Sequence, residues 1–187
     1  MTALTEATRI PGYVAGTWTI DPVHSEVGFS VWHMMVSKVR GRFNTFSGEI
    51  VTGEKPANSS VTAEIDLASI ITGNEQRDAH IRSADFFEVE TYPKMTFRST
   101  GVREDGDDYI LDGELTLKGV TKTVPLRLEL NGFAEDPYGG TRAGFTATTE
   151  INRGDFNVSF NAPMQNGGVV VSDKVNIHLE IEAVLAS

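Results

Sequence analysis

Residues 24–33 read HSEVGFSVWH, a strict alternation in which Val27, Phe29, Val31 and His33 fall on one face and Glu26, Gly28, Ser30 and Trp32 on the other. Period two over this length predicts a β-strand with one buried side. Working outward, the same pattern recurs. Residues 39–51 (VRGRFNTFSGEIV) carry Phe43, with Gly41 and Gly48 predicting a bend or bulge that shifts which side chains face inward. Residues 61–67 align Val61, Ala63, Ile65 and Leu67; residues 94–101 carry Met95 and Phe97; residues 109–117 align Tyr109, Leu111, Leu115 and Leu117. Residues 123–131 align Val124, Leu126, Leu128 and Leu130, residues 141–151 align Ala143, Phe145 and Ala147, and residues 174–183 align Val175, Ile177, Leu179, Ile181 and Ala183. These segments make eight strands.

Turn-forming runs separate them at 53–60 (GEKPANSS), 103–108 (REDGDD), 117–122 (LKGVTK) and 135–140 (EDPYGG). Only 73–90 (GNEQRDAHIRSADFFEVE) breaks the rhythm, where Asn74 can cap a short helix running to Ser83. The fold class is therefore all-β, an eight-stranded antiparallel up-and-down barrel with a short helix in the 73–90 segment. Such a barrel removes its own sheet edges by closing. Its interior can be filled by side chains or can hold one small ligand, and alternation alone does not choose between them.

The chain has 187 residues, a formal charge of −10 and no cysteine. One domain of this length hides roughly 70% of its unfolded surface, so metal or disulfide staples are unnecessary. Lack of cysteine excludes a thiol nucleophile, a thiolate zinc site and an iron–sulfur cluster. The acidic surplus argues against nucleic acid or anionic membrane as the main partner. Residues 1–15 read as a flexible N-terminal arm and 16–187 as a single domain, with 162–169 (APMQNGGV) as a flexible loop. The amino terminus lacks the basic start and apolar run of a signal peptide, and no later stretch has the roughly 20 apolar residues of a membrane span. A cytoplasmic location is expected.

Four histidines invite a metal reading, but their spacing does not support one. His24 and His33 lie nine apart on one strand, some 30 Å end to end at about 3.3 Å per residue. His178 is expected to face solvent, and His33 with His80 and Asp78 is the remaining combination. His24 and Ser25 point to opposite faces and make no dyad, and no nucleophile elbow, HExxH helix or phosphate loop is present. The densest polar group is Arg77, Asp78, His80 and Arg82, followed at once by Phe86 and Phe87. A helix there can cap a barrel mouth, with Arg77 and Asp78 bonding loop backbone. It can also act as a lid whose charged groups meet a ligand's polar head.

Longer matches then add to this reading. WTIDPVHSEVGFSVWHM (18–34), GRFNTFSGEI (41–50), TGNEQRDAHIRSADFFEVETYPKMTFRST (72–100), GELTLKGVTKTV (113–124) and INRGDF (151–156) occur in order. On these stretches the chain resembles the YceI-like family of lipocalin-like, polyisoprenoid-binding barrel proteins over residues 18–183. The resemblance implies a barrel with an elongated apolar cavity for an isoprenoid chain or related lipid, often a homodimer, without established catalysis. It turns the inward residues Val27, Phe29, Val31, His33, Phe43, Ile65, Leu67, Phe97, Leu115 and Phe145, with His80, Phe86 and Phe87 at the lid, into expected ligand-binding residues. Arg77 and Asp78 form the expected polar mouth. No catalytic residue, metal or cofactor is expected beyond a bound polyisoprenoid, quinone or fatty-acid-like lipid. One departure is Asn157, where the family commonly has glycine; Asn tolerates a left-handed backbone better than most residues.

The expected function is therefore non-catalytic binding, transport or storage of an apolar isoprenoid or related lipid. The alternatives are a small-lipid-modifying enzyme using His33 or His80, and a structural or stress-related barrel with a filled core. A homodimer would have to use an outer face, for which Trp32 is the candidate.

Overall fold

A computed structural model describes residues 10–162, 164 and 168–186 of the chain. Of the expected arm, residues 1–9 lie outside the described residues, as do 163 and 165–167 of the expected loop. Eleven strand segments form one antiparallel sheet: β1 (Gly16–Ile20), β2 (Glu26–His33), β3 (Ser37–Phe43), β4 (Phe46–Thr52), β5 (Ser60–Asp66), β6 (Ile70–Ile71), β7 (Lys94–Asp105), β8 (Asp108–Leu117), β9 (Val120–Glu135), β10 (Thr141–Asn152) and β11 (Lys174–Leu185). β1 and β2 lie end to end along β11, with Trp18 opposite Leu185 and Phe29 opposite Ile177. β3 pairs with β2 while β4 pairs with β1, and β6 pairs with β3 while β5 pairs with β4. Each of these three couples is one stave interrupted midway, so the ring closes with eight staves in chain order.

The interruptions have local causes. Between β1 and β2, Pro22 has no N–H for the ladder, and Ser25 Oγ takes over by accepting from Glu182 N (3.0 Å). Between β3 and β4 the chain turns aside at Asn44 and Thr45, whose N–H groups donate to Ser69 O and Ser69 Oγ. The bend expected from Gly41 and Gly48 is thus at 44–45. The two glycines serve close packing instead: a Cβ on Gly41 would lie 2.4 Å from Phe29 Cζ, and one on Gly48 2.5 Å from Ile20 Cδ1.

At one end of the barrel, here called the lower, Trp18 is fully buried and its Nε1 donates to Thr52 Oγ1 (2.9 Å). Tyr13 packs edge-on against Phe133 (centroids 5.5 Å apart) and donates from its hydroxyl to Gly53 O. The final residues of the expected arm are therefore seated on the barrel. At the upper end, helix α1 (Glu75–Arg82) starts at Asn74, whose side chain accepts from Arg77 N, and stops at Ser83. A 3-10 turn at Arg153–Phe156 follows β10 and ends on Asn157 with φ +60°, the left-handed conformation that Asn accommodates. Among the described residues no helix is long and apolar enough to cross a membrane.

Candidate functional site

Alternation sends one side of every stave inward, and the inward side chains leave two apolar spaces. The lower chamber, about 170 Å³, is lined almost entirely by carbon. Ile65, Phe97, Leu115 and Phe145 border it, joined by Leu126 and Leu128 of β9. The upper chamber, about 130 Å³, is bordered by Phe29, Val31 and Phe43 from the β2–β3 hairpin and by Ile81, Phe86 and Phe87 from α1 and the segment after it. Val27, Met95 and Ile177 border both chambers and form the waist between them.

Phe29 and Phe43 pack with ring centroids 5.7 Å apart, and Phe43 meets Phe87 at 6.1 Å. This aromatic run continues the wall where the strand ladder stops, because β6 pairs with only Arg42 and Phe43 of β3. Over the upper chamber lies Arg153, only 5% exposed. Its guanidinium donates from Nε to Ser172 O (2.9 Å), from Nη1 to Val158 O and Phe160 O (2.8 Å each), and from Nη2 to Val171 O (3.3 Å). Burial lowers its pKa from the usual guanidinium value, opposed by the charge of Asp173 at 3.9 Å. A guanidinium starts so high that it remains a cation. With four donors bound to carbonyls, Arg153 fastens the segment after β10 across the barrel end.

Of the residues expected to bind ligand, Leu67, His33 and His80 border neither chamber. Leu67 is fully buried in solid core, because the strand ends at Asp66 and a 3-10 turn redirects it. His33 shares the inward face but lies beyond Val31 at the rim, where its backbone bridges Val171. His80 stands on the outer side of α1, its Nε2 2.7 Å from Asp85 Oδ2 and its ring edge-on to Phe86 and Phe160.

The expected polar mouth is likewise a structural clamp. Asp78, nearly buried, accepts from the Thr72 N–H and hydroxyl, and Arg77 donates to Thr72 Oγ1 and Thr72 O. Both fix the helix to the end of β6, since each is within reach of backbone that the ladder leaves unpaired.

Sequence reasoning did not single out Ile81, Val158, Met95 or Arg153 for the site. Met95 shares the inward period of its strand with Phe97, whereas Ile81 and Val158 lie where no period reports burial. Arg153 stands in the quoted INRGDF run, yet nothing in a lone arginine reveals that it is buried.

A separate cluster lies outside the barrel, where ligand atoms of Asp21, His24 and Glu182 fall within 4.8 Å of one another. Arg142 Nη1 sits among them, 2.9 Å from Asp21 Oδ2 and 2.7 Å from Glu182 Oε2. Hydrogen bonds from His24 and Arg142 hold the Asp21 carboxyl down at about 2. The guanidinium supplies the positive charge that these carboxylates would otherwise take from a metal ion.

The chain matches the YceI-like domain family over residues 18–183. It is 44% identical over 148 residues to Protein YceI of Escherichia coli, covering 78% of each chain. The crystal structure of Burkholderia cenocepacia BcnA superimposes with a TM-score of 0.75 at 27% identity, covering 87% of this chain and 98% of that one. A Saccharophagus degradans structure described as a polyisoprenoid binding domain implicated in plant cell wall breakdown shares the fold, with a TM-score of 0.70 at 19% identity over 92% and 100% of the two chains.

Proposed function

The chain belongs to the YceI-like domain family, and from that premise we propose that it binds one chain-like apolar lipid, an isoprenoid or a related quinone or fatty-acid derivative, along the barrel axis and carries or stores it without chemical change. The observation that carries this reading is the pair of carbon-lined chambers meeting at Val27, Met95 and Ile177. A packed core at native density leaves few voids larger than a water molecule, whereas this interior keeps two. Chain carbons entering them gain about 0.8 kcal/mol for each CH₂ removed from water, so a dozen carbons supply roughly 10 kcal/mol against the freedom lost on binding.

Support for a non-catalytic role comes from the placement of the polar groups. His80 is tied to Asp85 outside the wall, Arg77 and Asp78 are tied to Thr72, and Arg153 is tied to carbonyls. Catalysis on a bound chain needs an acid or base within hydrogen-bond reach of it, and His33 and His80 border neither chamber.

The test is extraction of purified protein with organic solvent followed by mass spectrometry. A prenyl or acyl lipid in near-stoichiometric amount is the expected result. An empty extract, together with no uptake of added prenyl alcohol, refutes the proposal.

A further inference from the structure

We propose that the tip of the β2–β3 hairpin, with the upper rim beside it, is a docking surface for an anionic lipid bilayer. The whole chain carries a charge of −10, yet residues 27–48 contain no acidic side chain and hold Lys38, Arg40 and Arg42. All three are exposed on the outer face of β3. Among the described residues Lys38 and Arg40 have no acidic partner, and Lys38 Nζ lies over the Trp32 ring at 5.5 Å. The positive charge of Lys38 and Arg40 is therefore not answered among the described residues.

Beside this stripe stands an apolar tip. Met35 is 61% exposed and Val36 77%, with Met34 and Trp32 at 40% and 39%. Phe160 and Val169 are exposed on the neighbouring rim, which is joined to the hairpin by Met34 N donating to Val170 O (2.8 Å) and Trp32 N to Ser172 Oγ (2.9 Å). Met34 and Met35 both have positive φ, 52° and 61°, in a turn where Asn-Gly is the relaxed choice. Two flexible apolar side chains are thus held out from the barrel at a cost in backbone strain.

Charged residues on a sheet edge also discourage strand pairing, which would account for Lys38 or Arg40 but not for the bare methionines and valine. Apolar side chains that enter the boundary between headgroups and acyl chains, flanked by Lys and Arg that meet anionic lipid, are the chemistry of interfacial binding. A second copy of the chain fits less well, because a two-fold contact here would set one basic stripe near another. Val31, next to the tip in sequence, and Val171, whose backbone bridges His33, border the upper chamber. Docking would bring that end of the barrel against the membrane. The surface itself does not depend on the chambers being filled.

The test is flotation of the full chain with vesicles of phosphatidylcholine containing about one third phosphatidylglycerol, read alongside tryptophan emission. Trp18 is fully buried, so a blue shift on binding reports Trp32, and Trp32→Phe should abolish the shift. Binding is expected at low salt, little on pure phosphatidylcholine, and release near 0.5 M salt, where the screening length shrinks to roughly 4 Å. Lys38→Gln with Arg40→Gln should weaken binding roughly fivefold per side chain. Met35→Ser with Val36→Ser should remove the blue shift. These positions are exposed, so unchanged melting separates lost docking from misfolding.

The proposal is overturned if the wild type stays with the soluble fraction at low salt, or if both double variants bind as the wild type does. It is also overturned if the same substitutions turn a dimer into a monomer in sedimentation. Phe29→Asp separates this surface from the lipid-binding reading: that variant should lose extracted lipid yet still float.

Discussion

The lower and upper chambers share an apolar character but differ in what builds their walls. Around the lower chamber, inward side chains come from alternating positions on paired strands: Ile50, Ile65, Phe97, Leu111, Leu126 and Ala147 each sit in a paired ladder. Around the upper chamber the ladder is incomplete, and Ile81, Phe86, Phe87 and Val158 fill the gap from a helix and irregular segments held by Arg153, Asp78 and Arg82. A ladder positions side chains through many repeated backbone bonds, each contributing little. The upper cap relies on a few side-chain anchors, so single substitutions should affect the two regions unequally.

The largest expected effect is therefore at the cap. Arg153→Met leaves Ser172 O, Val158 O and Phe160 O without their side-chain donor, while Val171 O keeps Asn161 Nδ2, and should cost about 3 kcal/mol or more, measured by urea unfolding. A loss below about 1 kcal/mol would remove the distinction drawn between the chambers. Next comes Phe29→Asp, which replaces an aromatic wall of the upper chamber by a carboxyl that must remain neutral or be paired. It should cost about 3 kcal/mol and abolish lipid recovery on extraction, and full recovery would show that the cargo uses only the lower chamber.

Smaller effects should come from bulk without charge. Val31→Phe in the upper chamber and Ala147→Leu in the lower should each change stability by less than about 1.5 kcal/mol, because each grows into open space. If one chain threads both chambers, each variant should shorten the longest lipid recovered. Loss of more than about 1.5 kcal/mol with an unchanged lipid would mean that the altered chamber is already filled.

The smallest effect is electrostatic and sharpens the comparison from outside. The Asp21 pKa is depressed to about 2 from 3.8 by His24 and Arg142, so its contribution is present above pH 4 and is lost as pH falls from about 4 to about 2. After solvent screening it should amount to about 1 kcal/mol. Asp21→Asn should flatten acid unfolding in that window, and an unchanged profile would place the acid sensitivity elsewhere.

Whole-chain charge proved a poor guide to local surface. The net −10 argues against an anionic membrane, yet within the acid-free run 27–48 the β2–β3 hairpin gathers Lys38, Arg40 and Arg42 on one outer face. Net charge averages over the molecule, while a partner meets only one face.

By itself the sequence determined the eight staves except for the β1 half of the first, the short helix with its Asn74 cap, and the inward placement of Phe29, Phe43, Phe97, Leu115 and Phe145, because period two is a local consequence of the pleat. It did not determine that residues 39–51 divide at Asn44 and Thr45, since Ser69, which receives that break, lies 24 residues beyond Thr45. Nor did it place Leu67, His33 and His80 off the chambers, or Arg77 and Asp78 on Thr72. Those positions follow a redirected strand, a rim and a helix turned outward, and such features emerge only when distant segments pack. Whether the barrel is hollow was also a tertiary matter: alternation fixes which side of a strand faces in, but the space left inside depends on how far apart eight staves stand once the ring has closed.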